Sequence, residues 1–345
     1  MGNSGIVEKN DIARTIFSPV VEEQKVRFDV DKEQPQKVIV IGGPTCCGKT
    51  KLAIMLAKTL GGEVISADSM QIYQGMDIGT AKPSNEQQAA VPHHMIDICP
   101  VSQLFNVVDY YYGARHCCQT LLAQNRVPIV VGGACFYLHV FLYGPPEGPP
   151  SVPEIRKTLE KELSDYGVEA LYERLQELDP DYAETITSHD KHKIVRALEI
   201  INLTKGPVSG LSWYERERSV DYDFRCWFIH RPKEALYRCI EERCEQMLQE
   251  GFIEEVEALE KEGLRGNTSA AQSIGYRQAL TYLESERTSE DYDDFVKSFK
   301  QESRRYAKRQ FTWFRKETLF RWLDIELHDF EIAVDMILND YEQKR

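Results

Sequence analysis

The stretch from Lys37 to Ile54, KVIVIGGPTCCGKTKLAI, restricts the fold more than any other part of the chain. Val38 to Ile41 is a short, β-branched apolar run, the pattern of a buried strand. It leads into Gly43-x-x-x-x-Gly48-Lys49-Thr50. Leu52, Ala53, Leu56 and Leu60 then recur at helical spacing, and Gly61-Gly62 offers a helix stop. Strand, glycine loop and helix in this order are the context of a phosphate-binding P-loop. The candidate diphosphate- or nucleotide-binding residues are therefore Gly43, Pro44, Thr45, Cys46, Cys47, Gly48, Lys49 and Thr50. Glycines let backbone N–H groups turn inward on a phosphate, and the helix N-terminus adds partial positive charge. Lys49 supplies a full charge, and the Thr50 hydroxyl is placed to bind Mg²⁺.

Two further short apolar runs predict strands of the same sheet. Glu63-Val-Ile-Ser-Ala-Asp68 ends on an acid, which faces the P-loop ligand if the sheet is parallel; a turn or helix-cap role is the plainer alternative for Asp68. Arg126-Val-Pro-Ile-Val-Val-Gly-Gly133 ends on two glycines. It lacks the acid that nucleotide-hydrolysing P-loop proteins use as a Mg²⁺ partner, which argues against an ATPase or GTPase. The loop from Ser69 to Pro83 is long and polar, with Tyr73 and Lys82, a mixture suited to contacts with bases and ribose. His93-His94 has no third ligand at a sensible spacing, so a metal is not expected there. The tyrosines of the helix from Asp109 to Leu122 are expected to pack.

A breaker, Gly144-Pro-Pro-Glu-Gly-Pro-Pro-Ser-Val-Pro153, marks a boundary. The charged helical pattern beyond it predicts an insert. Within it, Lys193 and Arg196 either cap a solvated helix end or form a phosphate-contacting strip. Strand character returns at Asp223 to Ile229, and Lys233 to Leu264 reads as helix. The chain is thus predicted to be α/β, a P-loop NTPase-like parallel sheet core flanked by helices, with a small all-helical insert domain. The expected divisions are an N-terminal extension (1–36), the first part of the core (37–145), the insert (146–220), the second part of the core (221–320) and an acidic tail (321–345).

Net charge is −13, which excludes unspecific binding of nucleic acid over the whole surface but not a local basic patch. Arg304-Arg305-Tyr-Ala-Lys308-Arg309-Gln-Phe-Thr-Trp-Phe-Arg315-Lys316 is such a patch, with its basic positions expected largely on one helix face. Lys308 and Arg309 are candidate RNA-phosphate contacts, and the aromatics can stack bases or pack the core. Nine scattered cysteines without CxxC spacing suggest neither a disulfide framework nor a zinc site. No apolar run reaches the length of a membrane span, and the N-terminus has neither a signal-peptide core nor transit-peptide character. A cytoplasmic protein, expected to be monomeric, fits.

Taken together the motifs resemble the bacterial type of the tRNA dimethylallyltransferase (tRNA isopentenyltransferase) family. The resemblance rests on Gly43-Pro-Thr45-x-x-Gly48-Lys49-Thr50, Asp68-Ser-x-Gln-Ile-Tyr73, Gly75-Met-Asp-Ile-Gly-Thr-Ala-Lys-Pro83, Gly132-Gly133, Arg196-Ala-Leu-Glu199, Gly275-Tyr-Arg277-Gln278 and Lys308-Arg309-Gln310, in that order. It implies transfer of a five-carbon group from dimethylallyl diphosphate, with Mg²⁺ as cofactor. The acceptor would be the exocyclic amine of the adenosine 3′-adjacent to the anticodon, in the tRNA anticodon stem-loop. It further implies Asp68 as general base, and Arg277 and Thr45 beside the leaving diphosphate. Asp68, Ser69, Met70, Gln71, Ala134, His192, Lys193, Ile194, Val195 and Arg196 would meet the tRNA. Ala134 stands where the family usually has Thr, and Lys193 where bacterial members more often have Arg. Two other readings stay open at this level: a small-molecule kinase of the shikimate-kinase type, and an RNA-binding P-loop protein without chemistry.

Overall fold

The computed structural model describes residues 35–145, 148–211 and 222–343; the predicted extension lies outside these except for its last two residues. The described chain forms two compact units, one from the residues up to Leu142 and from Ser219 onward, the other Tyr143–Arg218. In the first, β1 (Gln36–Gly42), β2 (Glu63–Ser66), β3 (His93–His94), β4 (Pro128–Gly132), β5 (Tyr222–His230) and β6 (Arg321–Asp324) make one six-stranded sheet in the order β3-β2-β4-β1-β5-β6. Every pairing is parallel. Continuous apolar runs such as Val38-Ile-Val-Ile41, all fully buried, are what a sheet covered on both faces requires.

The parallel arrangement brings the carboxyl ends of β1, β2 and β4 to one edge. Gly42 is in register with Gly132, so the P-loop and Gly133 emerge side by side. β1 connects toward β2 on one flank while β5 joins on its other flank. The strand order therefore reverses beside β1, where ligands of open α/β sheets bind. The longer helices in this first stretch are α1 (Lys49–Leu60), α2 (Val107–Ala123) and α3 (Cys135–Tyr143), with a short helix at Asn85–Ala90. In the second unit, α4 (Pro153–Leu178), two helical stretches meeting at Gly167, packs against α5 (Lys191–Thr204). The first unit resumes with α6 (Lys233–Gln249), α7 (Phe252–Lys261), α8 (Tyr276–Glu284), α9 (Ser289–Phe314) and α10 (Phe330–Glu342). The predicted helix over 233–264 is in fact two, separated at Gly251.

The segment expected to be an acidic tail is part of the core. β6 extends the sheet and α10 packs on α1. Phe330, at the start of α10, lies on the P-loop: a Cβ on Gly48 (φ 86°) would sit 2.5 Å from its ring. Glycine is needed there both for its left-handed backbone and for this contact. The acidic residues that suggested a solvated tail are partly internal. Asp340, only 3% exposed, meets the fully buried Arg225 of β5, which also donates to Asp223 and to the carbonyls of Asp340 and Gln343. Arg321 also donates to Asp340 (2.7 Å), so losing Arg225 costs that buried carboxylate one of its cationic partners and takes from Asp223 the guanidinium it accepts from. Arg225→Leu is expected to lower unfolding free energy by roughly 3–5 kcal/mol in a urea titration. No helix among the described residues is long and apolar enough to cross a membrane.

Candidate functional site

A cavity of about 910 Å³ opens at the carboxyl edge of the sheet. Its walls include Thr45, Cys46, Gly48, Lys49 and Thr50 from the P-loop and α1, Asp68 to Gln71 after β2, Gly133 after β4, Arg243 of α6, and Tyr306, Arg309 and Gln310 of α9. The loop is held from inside and outside. Lys49 Nζ donates to the carbonyls of Gly43 (3.1 Å) and Pro44 (2.6 Å). The Thr45 N–H donates to Gln310 Oε1 (3.0 Å), and the Thr45 hydroxyl accepts from Arg243 Nη2. Cys46 carries a left-handed backbone (φ 64°). Burial pushes the Cys47 thiol above its ordinary pKa against the opposing pull of Lys49, so it stays neutral packing material.

Asp68 lies on the same cavity. Its Oδ1 accepts from the N–H groups of Met70 (2.9 Å) and Gln71 (3.3 Å), so it is a turn residue as well as a cavity residue. That turn fixes one oxygen and leaves proton acceptance to Oδ2. Ser69 and Met70 line the cavity too. The Gln71 amide also serves the architecture: it accepts from the Ser66 hydroxyl (3.0 Å) and donates to the carbonyls of Thr80 (3.2 Å) and Ala81 (3.4 Å). Ala134 is half-buried, its N–H donating to Ala67 O (3.2 Å), and it does not line the cavity.

Several sequence expectations are redirected. Arg277 is not a cavity residue; its half-exposed guanidinium faces Glu302 at 3.9 Å. Its place beside the phosphate loop is taken by Arg243, on the flank of the α6 buried stripe Leu236, Ile240, Cys244 and Met247. In the loop after β2, Tyr73 is fully buried and cannot stack on a base. Lys82 is equally committed, to Tyr73 O (2.9 Å) and the carboxylates of Asp77 and Asp97. The loop is further pinned by Glu255, which accepts from the N–H groups of Asp77 (3.0 Å), Ile78 (2.6 Å) and Gly79 (3.2 Å) and from the Tyr276 hydroxyl (2.6 Å). His94 is used by Glu63 (2.6 Å), and His93 Nδ1 lies 2.7 Å from Val91 O.

In the helical unit, Ile194 and Val195 belong to its apolar core, so their side chains cannot meet RNA. Arg196 donates to the buried Glu199 (2.7 Å) and to Pro149 O, which makes it first a brace of its own unit. His192 and Lys193 remain exposed. On α9, Arg304 pairs with Glu241 (2.5 Å) and Arg305 with Glu302 (2.6 Å). Lys308 and Arg309 are exposed, while Arg315 and Lys316 fall beyond the helix end. The aromatic residues interleaved with them pack: Phe314 is fully buried, 4.5 Å from the Phe228 ring centroid. Arg243 and Glu255 were not singled out from sequence, and Gln310 entered only as the last member of the Lys308-Arg309-Gln310 motif, without a role. The signal for Gln310 is a polar residue on the buried stripe Phe299, Ser303, Ala307, Gln310, Phe314.

A phosphate loop, a strand-end acid and an arginine thus surround one cavity. A family model described as IPP transferase matches residues 71–317, and one described as isopentenyl transferase matches residues 36–103. The tRNA dimethylallyltransferase of Protochlamydia amoebophila is 58% identical over 335 residues, covering 97% of each chain. The chain belongs to the IPP transferase family. A second IPP transferase relative, the tRNA dimethylallyltransferase of Chlamydia caviae, is 47% identical over 88% of this chain and 89% of its own. Among solved structures, the tRNA isopentenylpyrophosphate transferase of Bacillus halodurans superposes with a TM-score of 0.65 at 36% identity, covering 89% of this chain and 97% of that one. A eukaryotic dimethylallyltransferase acting on tRNA gives a TM-score of 0.73 at 26% identity, over 90% and 82%. The P-loop-like parallel sheet is thus the family's architecture.

Proposed function

We propose that this chain transfers the dimethylallyl group of dimethylallyl diphosphate to the exocyclic amine of the adenosine 3′-adjacent to the anticodon in tRNA, releasing diphosphate. The observation that carries this reading is that the P-loop, Arg243 and Asp68 open into one cavity at the sheet edge. Each has a task in this chemistry. As the allylic C–O bond breaks, negative charge grows on the departing diphosphate. The loop N–H groups, Lys49 and Arg243 would stabilise it, electrostatic help that acts most strongly in the transition state. The amine nitrogen forms the new C–N bond and loses a proton to Asp68 Oδ2. The amine of a base in the anticodon stem-loop must be unstacked to enter the cavity. Exposed His192, Lys193, Lys308 and Arg309 suit contact with RNA phosphates.

Mg²⁺ fits the residues present. Thr50 lines the cavity next to Lys49; its hydroxyl would be the protein oxygen offered to a hard cation, which completes its shell with phosphate oxygens and water. When bound it would neutralise part of the diphosphate charge. A monomer acting on tRNA in the cytoplasm completes the proposal, and light scattering during size exclusion would check the first part. The function itself is tested by incubating the protein with dimethylallyl diphosphate, Mg²⁺ and unmodified tRNA, then analysing anticodon-loop nucleosides by mass. The expected result is a single five-carbon gain on the adenosine 3′ of the anticodon. Unchanged nucleosides would overturn the reading.

A further inference from the structure

Gln310 sits on α9 where the buried stripe calls for an apolar side chain, and it is only 1% exposed. Its amide is used at both ends. Oε1 accepts from the Thr45 N–H (3.0 Å) and Nε2 donates to Gly133 O (2.8 Å). One orientation alone satisfies both partners, because a flipped amide would set N–H against N–H and oxygen against oxygen. The Tyr306 hydroxyl donates to the same carbonyl (3.2 Å), and burial first, the Asp68 carboxylate second, push its pKa up so that it stays a donor. Gly133 is shaped for this clamp: a Cβ there would lie 2.4 Å from Gln310 Nε2.

The Thr45 N–H belongs to the same peptide plane as Pro44 O, and Pro44 O accepts from Lys49 Nζ at 2.6 Å. A trans peptide points its N–H and C=O in opposite directions. Holding one end of the plane therefore aims the other. The second end of the clamp, Gly133, adjoins Ala134, whose N–H bonds Ala67 O directly before Asp68. We propose that Gln310 is a positioning residue that sets the 44–45 peptide plane, and through it Lys49, and fixes the phosphate loop against the strand end beside Asp68. The proposal rests on the reading of the P-loop as a diphosphate site.

The test uses the full-length protein and inorganic diphosphate with Mg²⁺, read by calorimetry, with tRNA binding and melting temperature as controls. Gln310→Leu leaves the Thr45 N–H and Gly133 O without this partner and is expected to weaken diphosphate binding about tenfold, with tRNA affinity within about twofold. Gln310→Glu supplies a readout that a merely structural residue would not give. As a carboxylate it opposes Gly133 O. Once protonated, it reproduces the wild-type donor and acceptor pattern. Its deficit relative to wild type at the same pH should shrink as pH falls, the ligand's own ionisation cancelling in the ratio. In steady state, either variant should raise KM for dimethylallyl diphosphate while KM for tRNA holds. Wild-type diphosphate affinity in Gln310→Leu, or a deficit in Gln310→Glu that does not change with pH, would overturn the proposal. Failure of the wild-type protein to bind diphosphate would instead overturn the reading of the loop, and the proposal with it. Should Gln310→Leu fail to fold, Gln310→Glu at low pH decides alone.

Discussion

Asp68→Asn is expected to cut single-turnover prenyl transfer by about 10²–10⁴-fold, the range for loss of a general base, while tRNA and diphosphate binding stay near wild type. Asparagine is the informative replacement. Its Oδ1 still accepts from Met70 and Gln71, so the turn after β2 survives. Its amide nitrogen cannot accept the amine's proton. Alanine would remove the turn as well and mix two effects. Rapid quench with radiolabelled donor, alongside filter binding of tRNA, measures both quantities. Transfer at the parental rate would show that another group takes the proton.

Arg243→Leu should reduce kcat/KM for dimethylallyl diphosphate by about 10²–10³-fold, the size of losing one charged stabiliser of a leaving group. Arg277→Leu should stay within a few-fold of wild type. The difference follows from geometry alone. The Arg243 guanidinium donates to the Thr45 hydroxyl inside the cavity, whereas that of Arg277 is half-exposed beside Glu302. Steady-state kinetics on both variants decides between them. Equal losses, or the larger loss in Arg277→Leu, would return the diphosphate arginine to the position that the Gly275-Tyr-Arg277-Gln278 motif suggested.

Where the sequence was informative, local chemistry and tertiary role coincided. Val38 to Ile41 can only be a buried strand if it is a strand at all, and Gly43 to Thr50 then follows as a loop between strand and helix. Asp68 was legible because a parallel sheet brings its strand end to the same edge. Where it was uninformative, long-range packing decided. Acidic composition suggested a tail after residue 320, yet Asp340 is internal because Arg225, over a hundred positions earlier, needs a counter-charge. Tyr73 and Lys82 carry the chemistry of nucleotide contacts but are consumed in holding their own loop. Ile194 and Val195 sit in a motif whose exposed members are His192 and Lys193, and helical periodicity sends them inward. Arg243 was hidden among the charges of a helix that read as a wet face. Gln310 was hidden in a basic segment, although its place on a buried stripe was visible.

On the proposed function, this P-loop grips a leaving diphosphate and not a nucleotide whose phosphoryl group is transferred. The most direct measurement follows inorganic diphosphate release from dimethylallyl diphosphate, with and without unmodified tRNA, beside phosphate release from ATP with a small acceptor. The expected result is diphosphate release that depends on tRNA and matches the prenyl groups gained, with no ATP turnover. ATP consumption without RNA, together with no tRNA-dependent diphosphate, would contradict it.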